Sequence, residues 1–324
     1  MEILKLLKAL MDVRSPYGEE EKLALYILDY LKGLGYPAML DGLNVLLNPD
    51  EKIIIATHLD TVKADYPFRL DSEYAYGTGV CDAKASIAAI LSALERIEEL
   101  NFGVALFYDE ENEGKGSEIY CEKYRPEMAI VMEPTDLTVA NVQYGGLEVK
   151  LSVKGKAVHA STPEAGINAI EKCMEFLNRI SRLSDIKVSV QRISGGGGEY
   201  VIPERCEVQL ELLFRPEIKA AAILNKLKDI CREKAEIKVE DIYDGFVSGE
   251  AAQLLVKALE KAGCKAVFSE MPSWNDSINL HSIGCDVAVF GPGELPLCHT
   301  REERVKIKDV ESAANVLVAL NDLL

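Results

Sequence analysis

The sequence predicts an α/β protein: a helix-covered, mostly parallel sheet interrupted by an inserted ferredoxin-like α+β domain. Two textures of apolar patterning, and their order along the chain, carry that expectation. The runs at residues 53–56, 104–107, 129–132 and 287–290 are continuously apolar, which suits strands buried on both faces by covering helices. Helical patterns at 84–100 and 253–261 flank these runs, as a βαβ arrangement requires.

The middle of the chain reads differently. Leu147, Val149, Leu151 and Val153 alternate with Glu148, Lys150, Ser152 and Lys154, and similar alternation recurs at 186–190, 206–212 and 235–240. A period of two marks strands with one wet face. Helical stretches near 167–182 and 217–233 separate them, giving the order β-α-β-β-α-β. The continuous texture returns only after about residue 245. Residues 1–145 plus 246–324 are therefore expected to form the larger domain and residues 146–245 the insertion. A chain of 324 residues agrees with two domains. The glycine run at 195–198 is a loop between two alternating strands, serving either close approach of backbone to a ligand or a flexible hairpin.

Composition narrows the function classes. Hydrophobic residues make up 48% and charged residues 27% of the chain, as in a folded globular protein. No apolar run approaches the roughly 20 residues that span a bilayer. The first residues mix Glu2, Lys5, Lys8 and Asp12 into an apolar stripe, which reads as an amphipathic helix rather than a signal peptide, so a cytoplasmic location is expected. The formal charge of −17 disfavours nucleic acid as a partner. Eight cysteines stand singly at 81, 121, 173, 206, 231, 264, 285 and 298, a spacing that points to reduced, buried thiols and not to a thiolate zinc site.

Sites in open α/β sheets form beyond the carboxyl ends of the strands. Each continuous run here is followed by polar, metal-competent residues: His58 and Asp60 after the first, Asp109-Glu110-Glu111 after the second, Glu133 after the third, and Cys298-His299-Thr300 beyond the fourth. Asp82 lies in the loop Gly77-Thr78-Gly79-Val80-Cys81-Asp82 that opens a helix. A lone histidine after a strand is often structural, but two of only four histidines converge here with three carboxylate sites. Two imidazoles and three carboxylates suit a pair of zinc ions, or cobalt or manganese at the same sites. Two such ions can activate one water and clamp the carbonyl under attack. A short carboxylate from a loop, Asp82, is the natural bridge. Asp60, two residues past His58, can fix the tautomer and orientation of that ring. Of Glu110 and Glu111, one is expected to bind metal and the other to move a proton; the residues alone leave the order open.

The segments His58-Leu59-Asp60-Thr61-Val62, Gly77-Thr78-Gly79-Val80-Cys81-Asp82-Ala83-Lys84, Asp109-Glu110-Glu111, Glu133-Pro134-Thr135 and Cys298-His299-Thr300 resemble, in order, the motifs of one family. It comprises the acetylornithine deacetylases, succinyl-diaminopimelate desuccinylases, aminoacylases, N-acetyl-lysine deacetylases and related dinuclear metallopeptidases. The resemblance covers essentially the whole chain, including Gly155-Lys156-Ala157-Val158-His159-Ala160-Ser161 at the entry to the insertion. It implies Glu110 as general acid/base and Glu111 as a terminal ligand, with His58 and His299 on opposite metals, Asp82 bridging and Glu133 completing the set. It also implies a homodimer formed through the inserted domain, with His159 reaching the partner's site; a surface turn histidine is the alternative. Arg215 corresponds to an arginine that holds a substrate α-carboxylate, a task suited to a guanidinium fork; a strand-end salt bridge is the alternative.

Three features depart from the family pattern. Tyr200 stands before Val201-Ile202-Pro203 where asparagine is frequent, Asn279 stands in Asp276-Ser277-Ile278-Asn279 where many members carry arginine, and the chain is short. Asn279, expected to touch substrate, brings the chain nearer the N-acetyl-lysine deacetylase branch and away from a doubly anionic succinyl substrate. The resemblance therefore implies hydrolysis of a small N-acyl amino acid, of N-acetyl-ornithine or N-acetyl-lysine type, in amino-acid biosynthesis. A desuccinylase or dipeptidase is the alternative within the same chemistry, and a non-catalytic metal-binding dimer the alternative outside it. Intact Glu110 argues against the last. An enzyme releasing lysine from an acidic carrier protein would want a basic docking face, which the net charge disfavours. His281 matches no motif and reads as structural.

Overall fold

The computed structural model describes residues 2–198, 200–232 and 235–324, arranged as two compact units. The first holds the chain up to Asn141 with Ser248–Met271 and Asn275–Leu324; the second holds Val142–Val247 with Pro272–Trp274.

In the first unit the strands lie in the order Met39–Asp41, Asn44–Leu47, Gly103–Phe107, Ile53–His58, Met128–Val131, Asp286–Val289, Val139–Gln143. The four central strands are parallel; the outer pairings are antiparallel. The four continuous apolar runs are these four central strands, because only strands covered on both faces need apolar side chains on both. Leu47, Ile55, Leu106, Ile130 and Ala288 are buried against Leu23, Ile27, Leu31, Ile87, Leu91, Leu255, Val310 and Leu317 of the covering helices. The helix Ala85–Leu94 is apolar nearly all round and correspondingly buried. It is shorter than the sequence pattern over 84–100 suggests. The Tyr36 hydroxyl shares its one proton between the carbonyls of Leu94 (2.9 Å) and Ile97 (3.1 Å), where the helix ends.

The second unit carries an antiparallel sheet in the order Ile186–Gly195, Arg205–Phe214, Gly145–Lys154, Ala235–Tyr243. The helices Ala169–Ile180 and Ala220–Cys231 complete the β-α-β-β-α-β order. Glu233, included in the expected second helix, lies outside the described residues. Asn168 caps the first helix, accepting from the N–H groups of Ile170 and Glu171. Leu147, Val149, Leu151 and Val153 are fully buried with Val208, Leu210, Leu212, Phe176, Ile223 and Leu227. Lys150, between them in sequence, and Lys154, just after them, are exposed, as alternation demands.

Candidate metal centre

His58 ends the strand Ile53–His58 and is completely buried. The loop carrying Asp82 comes to it because Gly79 (φ +77°) lies so close to Thr61 that an added Cβ would stand 2.2 Å from its Cγ2. The turn after Gly103–Phe107 brings Glu110 and Glu111, with Asp109 at φ +65°. Glu133 follows Met128–Val131, and Gly291 packs so closely on it that a Cβ would meet the Glu133 carbonyl oxygen at 2.6 Å. His299, at φ +64°, arrives from the segment beyond Asp286–Val289.

These residues form two triads of metal-competent groups sharing one member: His58, Asp82 and Glu133, and Asp82, Glu111 and His299. In each triad one donor atom per residue lies within 4.8 Å of the others. The Asp82 carboxylate faces both ways. His58 Nε2 is 2.8 Å from its Oδ1, and His299 Nε2 is 3.3 Å from its Oδ2. Glu111 Oε1 lies 2.8 Å from His299 Nε2, and Glu133 Oε1 3.9 Å from His58 Nε2.

Asp60 sits behind the centre, fully buried. Its Oδ1 is 3.5 Å from His58 Nδ1, longer than a normal hydrogen bond, and accepts from the Glu110 N–H at 3.1 Å. Its Oδ2 accepts from the Glu111 N–H at 2.8 Å. One carboxylate thus fixes the backbone of both adjacent glutamates and faces the far side of the His58 ring.

The electrostatics are those of crowded anions. Burial, reinforced by Glu133 and Glu111, pushes the Glu110 carboxyl well up, with His58 opposing. Burial likewise raises Glu133 and Glu111. Burial works against a proton on His58, but Glu110, Glu133, Asp60 and Asp82 together raise it well above the usual imidazole range. Hydrogen bonds to Asp82 and Glu111 hold His299 up at about 10. Burial alone would raise Asp82, yet His299 and His58 hold it far below the ordinary carboxylate range. A divalent cation among these carboxylates would offset the crowding that raises them. Among the described residues, His58 Nδ1 and Glu133 Oε1 are buried without a hydrogen-bond partner. The mixed nitrogen and oxygen donor set, with one carboxylate shared, fits two divalent ions.

Asn279 is half-buried and donates to Ser117 Oγ (2.9 Å) and the Gly114 carbonyl (3.3 Å). His159 and Arg215 belong to the second unit. His159 is exposed in a turn, its Nδ1 2.7 Å from Ser161 Oγ, and Arg215 Nε lies 3.8 Å from Glu217 Oε2. His281 Nδ1 faces the Cys285 carbonyl at 3.3 Å. The eight cysteines are free thiols. Sequence reasoning missed buried acids in the first unit, among them Asp276 and Glu303. Burial pushes each up to about 7. Neither had a signal of its own: Asp276 lay inside a motif noticed for Asn279, and Glu303 in an acidic pair that reads as a solvated turn.

The pattern of peptidase family M20/M25/M40 matches residues 54–322, a stretch that carries both triads. The chain belongs to the M20/M25/M40 family. It is a metal-dependent hydrolase of amide bonds. It is 27% identical, over 98% of its length and 96% of the relative's, to a Pyrobaculum aerophilum protein provisionally named as a LysW-lysine/LysW-ornithine hydrolase. It is 28% identical, over 97% of its length and 96% of the relative's, to a Mycobacterium tuberculosis protein provisionally named as a succinyl-diaminopimelate desuccinylase. The fold is similar to that of a Bacillus subtilis protein described as a dinuclear metal-binding M20 peptidase, with a TM-score of 0.77 at 15% identity over 99% of this chain and 97% of that one. The M20 fold thus supplies the parallel sheet whose strand ends carry the candidate ligands.

Proposed function

We propose that this M20 enzyme removes the acyl group from an N-acyl diamino acid of the N-acetyl-ornithine or N-acetyl-lysine type, in the cytoplasm, with two zinc ions. The observation that carries the reading is the shared carboxylate: Asp82 faces His58 with one oxygen and His299 with the other, beside a half-buried Glu110 whose carboxyl is held high. His58, Asp82 and Glu133 would hold one ion and Asp82, Glu111 and His299 the second; cobalt or manganese suits the same donors. Two divalent ions held there would supply Lewis acidity, lowering the pKa of a water and polarising the acyl carbonyl. Glu110 would accept the water's proton and return it to the leaving nitrogen, and burial holds its carboxyl well above the ordinary carboxylate range. Asp60 keeps Glu110 and Glu111 in register through their backbone N–H groups.

Lysine or ornithine on the amine side is supported by the name of the Pyrobaculum relative. Asn279 in place of a cation favours a small neutral acyl group over a succinyl group, which would want fixed positive charge. Arg215 is assigned to the substrate α-carboxylate. His159 is assigned to the site of a second copy, in a dimer formed through the sheet of residues 146–245, whose strand Ile186–Gly195 lies at an edge.

The test is a panel of N-acetyl-lysine, N-acetyl-ornithine, N-succinyl-diaminopimelate and dipeptides with the zinc- or cobalt-loaded enzyme, read as release of free amine. The expected result is a kcat/KM for an N-acetyl diamino acid at least about tenfold above the others, a discrimination of about 1.4 kcal/mol. Preference for dipeptides or for the succinyl compound would overturn the substrate assignment. Absence of turnover on all of them by metal-loaded protein would overturn the reaction.

A further inference from the structure

We propose that Glu303 is a positioning residue that holds Asp82 between the two histidines. The inference rests on reading the two triads as metal sites. Glu303 directly precedes the strand Arg304–Lys306, which pairs antiparallel with Tyr74–Tyr76. Its carbonyl accepts from the Gly77 N–H at 3.3 Å, tying the backbone to the start of the Asp82 loop. Its side chain turns inward and the residue is 1% exposed. Oε1 accepts from the N–H groups of Cys81 (3.1 Å) and Asp82 (3.4 Å). The turn Val80–Lys84 opens with N–H groups that have no partner inside it, and Glu303 supplies the acceptor.

Two observations separate this role from that of an ordinary fold anchor. Glu303 Oε2 is buried with no hydrogen-bond partner among the described residues. Capping the turn takes only Oε1, so the second oxygen stays beside the Asp82 loop with no hydrogen bond of its own to make there. The second observation is connectivity. Glu303 follows His299 by four residues, and Cys298 Sγ lies 3.5 Å from Cys81 Sγ. Gly293 leaves no room on the same thiol, since a Cβ there would stand 2.2 Å from Cys81 Sγ. The segment that brings His299 therefore also grips the residue before Asp82 and the N–H of Asp82 itself. Glu303 sets where the shared carboxylate stands relative to the last histidine.

The experiment measures Zn²⁺ affinity by competition with a chromogenic chelator, and the visible absorption of the Co²⁺-loaded protein, for wild type, Glu303→Gln and Glu303→Ala. Leu259→Ala, a fully buried change in the helix Glu250–Lys261, controls for lost stability. Glu303→Ala is expected to weaken Zn²⁺ binding by about 10- to 100-fold, as removal of groups that orient ligands does, and to change the Co²⁺ spectrum. Glu303→Gln keeps an acceptor oxygen but loses the charge that strengthens these hydrogen bonds; about tenfold weaker binding with a near wild-type Tm is expected. That variant decides the matter if Glu303→Ala does not fold. Wild-type affinity in both variants, or equal loss in Leu259→Ala, overturns the inference while leaving the metal sites standing. A wild-type protein that binds no divalent ion overturns both.

Discussion

Replacing Asp60 by alanine tests how much of the centre is built on one buried carboxylate. The change leaves the Glu110 and Glu111 N–H groups without their acceptor. A buried donor left unsatisfied costs about 1–3 kcal/mol, so the pair costs about 2–6 kcal/mol. Part is offset, because Asp60 also repels Glu20, whose carboxyl is raised first by burial and further by Asp60. A net loss of about 2–4 kcal/mol is expected, against a total of about 5–15 kcal/mol for a typical protein. Asp60→Asn keeps one acceptor and turns a donor towards the other N–H, so it should lose about half as much. The assay is denaturant unfolding of the metal-free protein, followed by Zn²⁺ competition. Both variants should bind Zn²⁺ about 10- to 100-fold more weakly, because His58 loses the carboxylate facing its Nδ1. An Asp60→Ala protein within about 0.5 kcal/mol of wild type, the range of an ordinary surface change, would refute the reasoning.

Other outcomes follow from the same geometry. Glu110→Gln should keep both metals and lose about 10²- to 10⁴-fold in kcat, whereas Glu111→Gln should lose metal; elemental analysis with kinetics on each variant checks this, and the reverse pattern would exchange their roles. In the metal-free protein, Glu110, Glu111, Glu133 and His299 are all held above their ordinary values. Each then contributes stability that is complete below its ordinary pKa and lost as pH rises through its raised one. The opposite contribution of Asp82, held low, falls away only in strong acid. The Tm with chelator present should therefore fall between about pH 5 and about pH 9, and a rise over that interval would contradict the crowding of the site. Mixing inactive His159→Ala with inactive Glu110→Gln subunits should restore up to about half of wild-type activity per mixed dimer, by twofold counting of sites; demonstrated exchange without recovery would remove His159 from the partner's site.

How much of this was legible in the sequence depended on range. The four central strands were readable because burial on both faces forces continuous apolar runs, and a polar residue directly after such a run marks a strand's carboxyl end. His58 and Glu133 were visible on that ground alone. That Asp60 would also carry the Glu110 and Glu111 backbone was not, since it depends on the turn through Asp109 in the left-handed region. Glu303 was hidden for a different reason. Its burial is decided by pairing of Arg304–Lys306 with Tyr74–Tyr76, at the other end of the sequence, and no local pattern in Glu302-Glu303 announces it. The order of Glu110 and Glu111 came from resemblance, because adjacent identical side chains carry no spacing signal.

The strand Met128–Val131 is flanked by Ile53–His58 on one side and by Asp286–Val289 on the other. A ribosome delivers the first neighbour early and the second only after the whole insertion has been made. Until then the middle of the sheet presents an open edge of the kind that recruits foreign strands. The donors of His58, Asp82 and Glu133 are all in hand at that stage, while the triad with His299 waits for nearly the last of the chain. Completion of the second triad is thereby tied to completion of the sheet, since His299 follows the strand Asp286–Val289 that closes the open edge.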